Sequence, residues 1–323
     1  MKNASLLIHP DELSRKWIDR MADHRIPTLA LHPVGGHHAH LSLAELLVRL
    51  EDPSYRALLD YANERGLQIE YEVHAARYLL PAEEFDAHPE WFRMNREGIR
   101  TPDVNFCASN EEALDFVAER AAKTVKKLYR STNRYFLWLD DTRDCQCHCP
   151  ACEKLSPSDY QLKILNRIVK RLRRDNPRAS IPYLAYQSCM DVPQEIVPED
   201  GIFLEYAPIN RDFHKPMRES AESEPLRRLI DCFGADTAKA LDYWYDNSLF
   251  SKWKKPPVPF SVDAPVMETD FLWYRSLGIE DIGCFACFLG DDYEALHGNV
   301  DIAPFAKAYH ASKVSESSKD QKL

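Results

Sequence analysis

The stretch Tyr55-Arg56-Ala57-Leu58-Leu59-Asp60-Tyr61-Ala62-Asn63-Glu64-Arg65-Gly66-Leu67-Gln68-Ile69-Glu70-Tyr71-Glu72-Val73-His74 changes character at its glycine. Before it, Leu58, Leu59, Tyr61 and Ala62 form an apolar stripe at helical spacing; after it, Leu67 to His74 reads as a strand. Gly66 suits the helix C′ position, where a left-handed residue lets the chain turn out of the helix. Helix, cap, strand is therefore the local grammar. Gly201, Gly234 and Gly278 likewise stand shortly before β-like runs.

Applied outward, that grammar predicts eight strands: Ser5–His9, Thr28–His32, Leu67–His74, Tyr135–Asp141, Ile181–Tyr186, Ile202–Ala207, Ala240–Asp246 and Ile282–Phe288. Helical patterns fall at about 10–23, 42–65, 110–129, 157–175, 219–232 and 264–277, with a weaker link at 190–198 and a last helix near 302–312. Ser109-Asn110-Glu111-Glu112 and Ser158-Asp159 supply capping groups and early carboxylates for two of them. Strand and helix alternating eight times predict a single α/β domain, a (β/α)8 barrel over residues 1–311. The alternative is an open doubly wound sheet. Residues 312–323 are Ser/Lys-rich and without periodicity, and a disordered tail is expected there.

Composition narrows the function. The 323 residues carry a net charge of −10, which disfavours a nucleic-acid partner, since a polyanion binder needs a basic surface. No apolar run approaches the roughly 18 residues of a spanning helix, and the N-terminal apolar stretch is short for a signal peptide. A cytoplasmic protein with no membrane partner is expected. Only 10 glycines are present, none in a phosphate-cradling motif.

In a (β/α)8 barrel the chemistry sits at the C-terminal ends of the strands. Those ends carry His9, His32, His74, Asp140-Asp141, Tyr186-Gln187, Glu205-Tyr206, Tyr243-Trp244-Tyr245-Asp246 and Cys287-Phe288, while the opposite face collects none of this. The apolar run Phe136-Leu137-Trp138-Leu139 delivers two adjacent carboxylates, Asp140 and Asp141. Alternation along a strand lets one face a substrate while the other is held against the wall. Paired carboxylates among aromatics suit glycosidic cleavage, in which an acid protonates the leaving oxygen and a second group supports an oxocarbenium-like centre. Asp141 is assigned as the acid. The second group is Asp140, Glu205 or Asp246. Arg211 and His214 are candidate sugar ligands or partners in a loop salt bridge, and Tyr186, Tyr243 and Trp244 are candidate binding residues. The loop bearing His37, His38 and His40 offers hydrogen bonds to substrate or, in a metal-dependent hydrolase or isomerase, metal ligands. A barrel that binds carbohydrate without turnover is the third reading.

Cys145, Cys147, Cys149 and Cys152 follow the Asp pair within eight residues. They suit a structural zinc, thiols packing a loop, or disulfide or redox use. Four ligands from one tight turn are sterically awkward, and three sulfurs completed by a distant residue such as Cys107 or a histidine are easier. No cofactor is required by the proposed chemistry.

His88-Pro89-Glu90-Trp91-Phe92, Asn105-Phe106-Cys107-Ala108-Ser109-Asn110-Glu111-Glu112, then Asp141 and Cys147-His148-Cys149-Pro150-Ala151-Cys152, taken in that order, resemble a bacterial barrel family of unknown-function domains. Asn166-Arg167-Ile168-Val169, Leu184-Ala185-Tyr186-Gln187 and Pro208 to His214 extend the resemblance, which covers about residues 88 to 290. That family neighbours glycoside hydrolases acting as endo-β-N-acetylglucosaminidases. The resemblance implies a barrel glycosidase acting on a carbohydrate, with Asp141 in the acid position and Arg211 and His214 in the binding loop. This chain has Asp-Asp where the family commonly has Asn-Asp, which looks more like the adjacent aspartates of O-GlcNAc hydrolases. In such substrate-assisted chemistry Asp140 orients a 2-acetamido group. The extra N-terminal domain and secretion signal of many members are not seen here, and a smaller intracellular saccharide is expected as substrate.

Overall fold

The structure is a computed structural model that describes residues 2–142 and 144–317. All eight expected strands form: β1 (Asn3–Ile8), β2 (Thr28–Leu31), β3 (Gln68–His74), β4 (Phe136–Trp138), β5 (Ile181–Ala185), β6 (Ile202–Tyr206), β7 (Lys239–Asp242) and β8 (Asp281–Phe285). The helices are α1 (Arg15–Asp23), α2 (Ala39–Arg49), α3 (Pro53–Glu64), α4 (Ala76–Leu79), α5 (Glu111–Val125), α6 (Pro157–Asp175), α7 (Glu224–Phe233), α8 (Asn247–Phe250), α9 (Ala264–Ser276), α10 (Asp291–His297) and α11 (Ala303–Ser317). Among the described residues no helix is long and apolar enough to cross a membrane.

Every strand pairing is parallel, in the order β4-β3-β2-β1-β8-β7-β6-β5. The ring is completed between β4 and β5 by a bridge from Arg134 to Ser180, just before both strands. There Tyr135 N–H donates to Ser180 O at 2.9 Å and Ser180 N–H to Asn133 O at 3.0 Å. The barrel is thus closed at its N-terminal end, and the β4–β5 seam is without a ladder towards the C-terminal mouth.

Helix boundaries follow local chemistry. The pattern expected over 42–65 is two helices, because Asp52 caps α3, accepting from Ser54 N–H at 2.7 Å, and Pro53 occupies its first turn. Gly66 follows α3 with φ +86° and turns the chain into β3, as its position predicted. Ser156, rather than Ser158-Asp159, caps α6. The buried Asp159 instead accepts the N–H groups of Gln194, Glu195 and Ile196 at 2.8–3.0 Å. Those amides are therefore unavailable to a helical ladder, and 190–198 is not the helix expected there. The segment expected to be a disordered tail begins inside α11, and its last six residues lie outside the described ones.

Two apolar cores result. One lies between the strands and the helices; the other, inside the barrel, includes Leu7, Ala30, Phe136, Trp138, Leu184 and Phe203. Beneath the mouth, however, the interior is charged, contrary to the expectation that ionisable groups gather at one end only. Lys239 pairs with Glu72 and, at 3.0 Å, with Glu205, while Arg134 pairs with Asp281 and, at 3.6 Å, with Glu70. Lys239, Glu72 and Glu205 have fully buried side chains. A Cβ at Gly283 would stand 2.5 Å from Ser5 Oγ and 3.0 Å from Lys239 Cε, so glycine there makes room for the lysine.

Candidate active site

Along β3 the inward positions Glu70, Glu72 and His74 climb from the charged layer to the mouth. Three strands end in a histidine that makes the same bond. His9 Nδ1 meets His32 O at 2.8 Å, His32 Nδ1 meets Glu72 O at 2.8 Å, and His74 Nδ1 meets Leu139 O at 2.6 Å. A carbonyl only accepts, so each Nδ1 carries a proton, and a ring that is neutral presents Nε2 as an acceptor. Burial pushes the pKa of His9 down and that of His32 well down, which favours this neutral form. All three line a cavity of about 400 Å³ at the mouth, in the size range of small-molecule sites. They are functional candidates that the sequence displayed at strand ends without marking them as ligands.

Two carboxylates, Asp141 and Asp246, line the same cavity. Asp141 also lines a second cavity of about 250 Å³ at the β4–β5 seam, as do His74, Leu184 and Tyr186. Asp141 and Tyr186 therefore stand where the two lobes adjoin. Burial, with the nearby Asp141 charge, raises the Tyr186 phenol. Asp246 caps α8, with Oδ1 accepting from Ser248 N–H, Ser248 Oγ and Leu249 N–H. Those bonds favour its charge, yet burial wins and raises its pKa to about 6.

Asp140 is held against the wall. Its Oδ2 accepts from Asn105 N–H at 2.7 Å and its own N–H donates to Asn105 Oδ1 at 2.9 Å. It lines only the smaller cavity, with its pKa raised by burial. Glu205, expected as a possible second carboxylate, reaches neither cavity: it is sealed against Lys239 and accepts from Trp138 Nε1 at 2.8 Å.

Of the expected binding residues, Tyr186 and Tyr243 line the main cavity, and Tyr243 stacks on Phe285 at 5.0 Å. Trp244 does not. Leu241 and Tyr243 face the barrel interior and Trp244 turns outward, where it stacks on Phe271 and donates to Asp270 at 3.0 Å. Arg211 is likewise structural, its side chain buried between Asp242 and Asp270 at 2.9 Å from each. The His214 side chain is 76% exposed and sits 3.3 Å from Asp263, off the cavity. His37 and His38 are exposed, and His40 is half-buried; the neighbouring Val34, Gly35 and Gly36 line the site instead. Trp253 was not expected. It is 65% exposed at the cavity rim with φ +54°, and Phe288, also on the wall, has φ +62°. Left-handed backbone at bulky residues is costly and concentrates at binding sites.

The cysteine set is also corrected. Cys107, Cys147, Cys149 and Cys152 bring their sulfurs within 4.8 Å of one another, and all four are buried. Cys145 instead borders the smaller cavity, its thiol pushed up to about 11 by burial. Among the described residues this is the one group of three or more His, Cys, Asp or Glu placed to share a metal ion. The histidine loop at 37–40 is not such a group.

Eight parallel strands in sequence-adjacent order around a ring, with helices between them and acids, histidines and aromatics at the C-terminal mouth, make this a (β/α)8 barrel. The chain is similar to a glycoside hydrolase family 5 enzyme from Prevotella bryantii in complex with a xyloglucan tetradecasaccharide, with a TM-score of 0.52 and 10% identity over 92% of this chain and 87% of that one. It is similar to a family 20 module of the pneumococcal exo-β-D-N-acetylglucosaminidase, with a TM-score of 0.51 and 10% identity over 96% and 83%. It is also similar to the O-GlcNAc hydrolase of Thermobaculum terrenum, with a TM-score of 0.55 and 11% identity over 96% of this chain and 59% of that one. At such identities the likeness is one of fold. No curated protein matches the sequence. Residues 49–244, more than half of the chain, match the family described as Domain of unknown function (DUF4838), and the protein belongs to that family.

Proposed function

We propose that the protein is a glycoside hydrolase whose scissile bond lies where the two cavity lobes adjoin. The observation that carries this reading is that Asp141 and Asp246 line one aromatic-walled cavity at the barrel mouth. A saccharide spanning both lobes would bring its glycosidic oxygen to Asp141, which donates the proton as the C–O bond breaks. Asp246 supplies the second carboxylate, acting on the anomeric carbon directly or through water. Tyr186 positions the Asp141 carboxyl, and the Nε2 acceptors of His9, His32 and His74 take sugar hydroxyls. Asp140 acts through its bonds to Asn105, holding the loop that carries Asp141. The resemblance to acetamido-sugar enzymes makes β-N-acetylglucosaminides the first substrates to try.

The test is hydrolysis of a panel of aryl glycosides by the wild type, Asp141→Asn and Asp246→Asn. Each substitution is expected to lower kcat by about 10²-fold or more. Undiminished turnover in Asp141→Asn would remove the acid from this scheme. Saccharide binding by calorimetry with no product from any glycoside would replace the hydrolase by a binding barrel.

A further inference from the structure

We propose that Cys107, Cys147, Cys149 and Cys152 bind one structural zinc ion that fastens the loop after β3 to the loop after β4, behind the Asp140–Asp141 pair. The proposal does not depend on the glycosidase reading. Four thiolates at the ~2.3 Å zinc–sulfur distance define a tetrahedron whose edges are about 3.8 Å long. Cys107 Sγ lies 3.7 Å from Cys149 Sγ and 3.8 Å from Cys152 Sγ, with all four sulfurs within 4.8 Å of one another. These separations are far beyond the ~2.05 Å of a disulfide.

The polar surroundings present donors to Cys147, as they would to a metal-bound sulfur. Met94 N–H donates to Cys147 Sγ at 3.3 Å, and Arg100 Nη1 approaches the same sulfur at 3.7 Å. Both groups can only donate, so the sulfur must offer lone pairs. Donors around a metal-bound thiolate are the usual outer shell of such sites, and four sulfurs with no oxygen ligand select a soft tetrahedral ion.

Position gives the site its role. Cys107 N–H donates to Trp91 O at 2.8 Å, and His148 N–H to Met94 O at 2.7 Å. The blocks around His88–Phe92, Asn105–Glu112 and Cys147–Cys152, far apart in sequence, therefore meet around the four sulfurs. Asn105, two residues before Cys107, is the residue that grips Asp140. The ion would fix that grip from one side and the 145–152 loop from the other.

The experiment is elemental analysis of the purified full chain after gel filtration, together with sulfur coordination by X-ray absorption at the zinc edge. About one zinc per chain is expected, with four sulfur scatterers at ~2.3 Å. Cys107→Ser and Cys149→Ser should retain less than about a tenth of that zinc after dialysis against a chelator, whereas Cys145→Ser should retain it. Protein from cobalt-supplemented cells should show thiolate-to-cobalt charge transfer, which reports the site without any variant. A wild type free of metal, a metal other than zinc, fewer than four sulfurs, or an intact mass short of the hydrogens lost to disulfides would each overturn the proposal. So would loss of zinc from Cys145→Ser.

Discussion

At Asp246 function and stability pull against each other. Burial raises its pKa from 3.8 to about 6, while the cap bonds to Ser248 and Leu249 keep its oxygen occupied. A carboxyl whose folded pKa is raised contributes its stability below the unfolded value and loses it as pH rises through the folded one. The shift corresponds to roughly 2 kcal/mol lost between pH 4 and pH 7. Asparagine caps a helix as well as aspartate does and carries no charge. Asp246→Asn is therefore expected to lose about 10²-fold or more in kcat yet, at pH 7, to be more stable than the wild type, with most of the advantage gone near pH 4. Urea denaturation at the two pH values measures this, and equal stabilities at pH 7 would contradict the burial argument. In the proposed chemistry Asp246 must ionise, so kcat/KM of the wild type should rise with pH through about 6. Persistence of that limb in the residual activity of Asp246→Asn would assign it elsewhere. Trp253, exposed at the rim, offers a face on which a sugar ring stacks. Trp253→Ala is expected to raise KM by about tenfold with little change in melting temperature, since an exposed side chain adds little to the core. An unchanged KM would place the substrate elsewhere on the mouth.

Elements differ in how firmly their own residues specify them. The helix α3 has Asp52 at its cap, Pro53 in its first turn and Gly66 beyond its end, so its limits are written locally; the same Asp-Pro pair parts α2 from α3, a break that periodicity over 42–65 passed over. By contrast 190–198 has no helix because Asp159, more than thirty residues away in sequence, takes its amides. The strand β7 shows both kinds of control. Alternation places Tyr243 inward and Trp244 outward, whereas its first residue, Lys239, is placed by partners on β3 and β6. Two acids and one lysine share that buried site, and burial pushes the Glu72 pKa well up. Lys239→Met removes the cation and leaves both carboxyls without it, a change expected to destabilise the barrel by about 3–5 kcal/mol near neutral pH. The loss should shrink as acid protonates the carboxyls. A denaturation midpoint unaffected at pH 7 would show that the layer is neutral without its lysine.

At the scale of the whole molecule, the alternation of helix and strand was readable because each element is a local event set by periodicity, marked before four of the eight strands by a left-handed glycine. The mouth inherited its chemistry from that register: His9, His32, His74, Asp141, Tyr186, Tyr243 and Asp246 all sit at strand ends in the sequence and line the main cavity in the fold. The incomplete β4–β5 seam was not readable, since it depends on how far two distant strands run alongside each other. That seam borders the second lobe and leaves Asp141 between the two. The sequence by itself thus determined the barrel, the acidic mouth and the presence of enough cysteines for a metal site. Only the tertiary structure decided which acids face the cavity, that Glu205 and Arg211 are buried in ion pairs, and that Cys107 replaces Cys145 among the clustered sulfurs. The reason is that periodicity assigns a face to a side chain only while the strand lasts. The chain leaves β4 at Trp138, before either aspartate, and from there contacts with distant residues such as Asn105 set the direction.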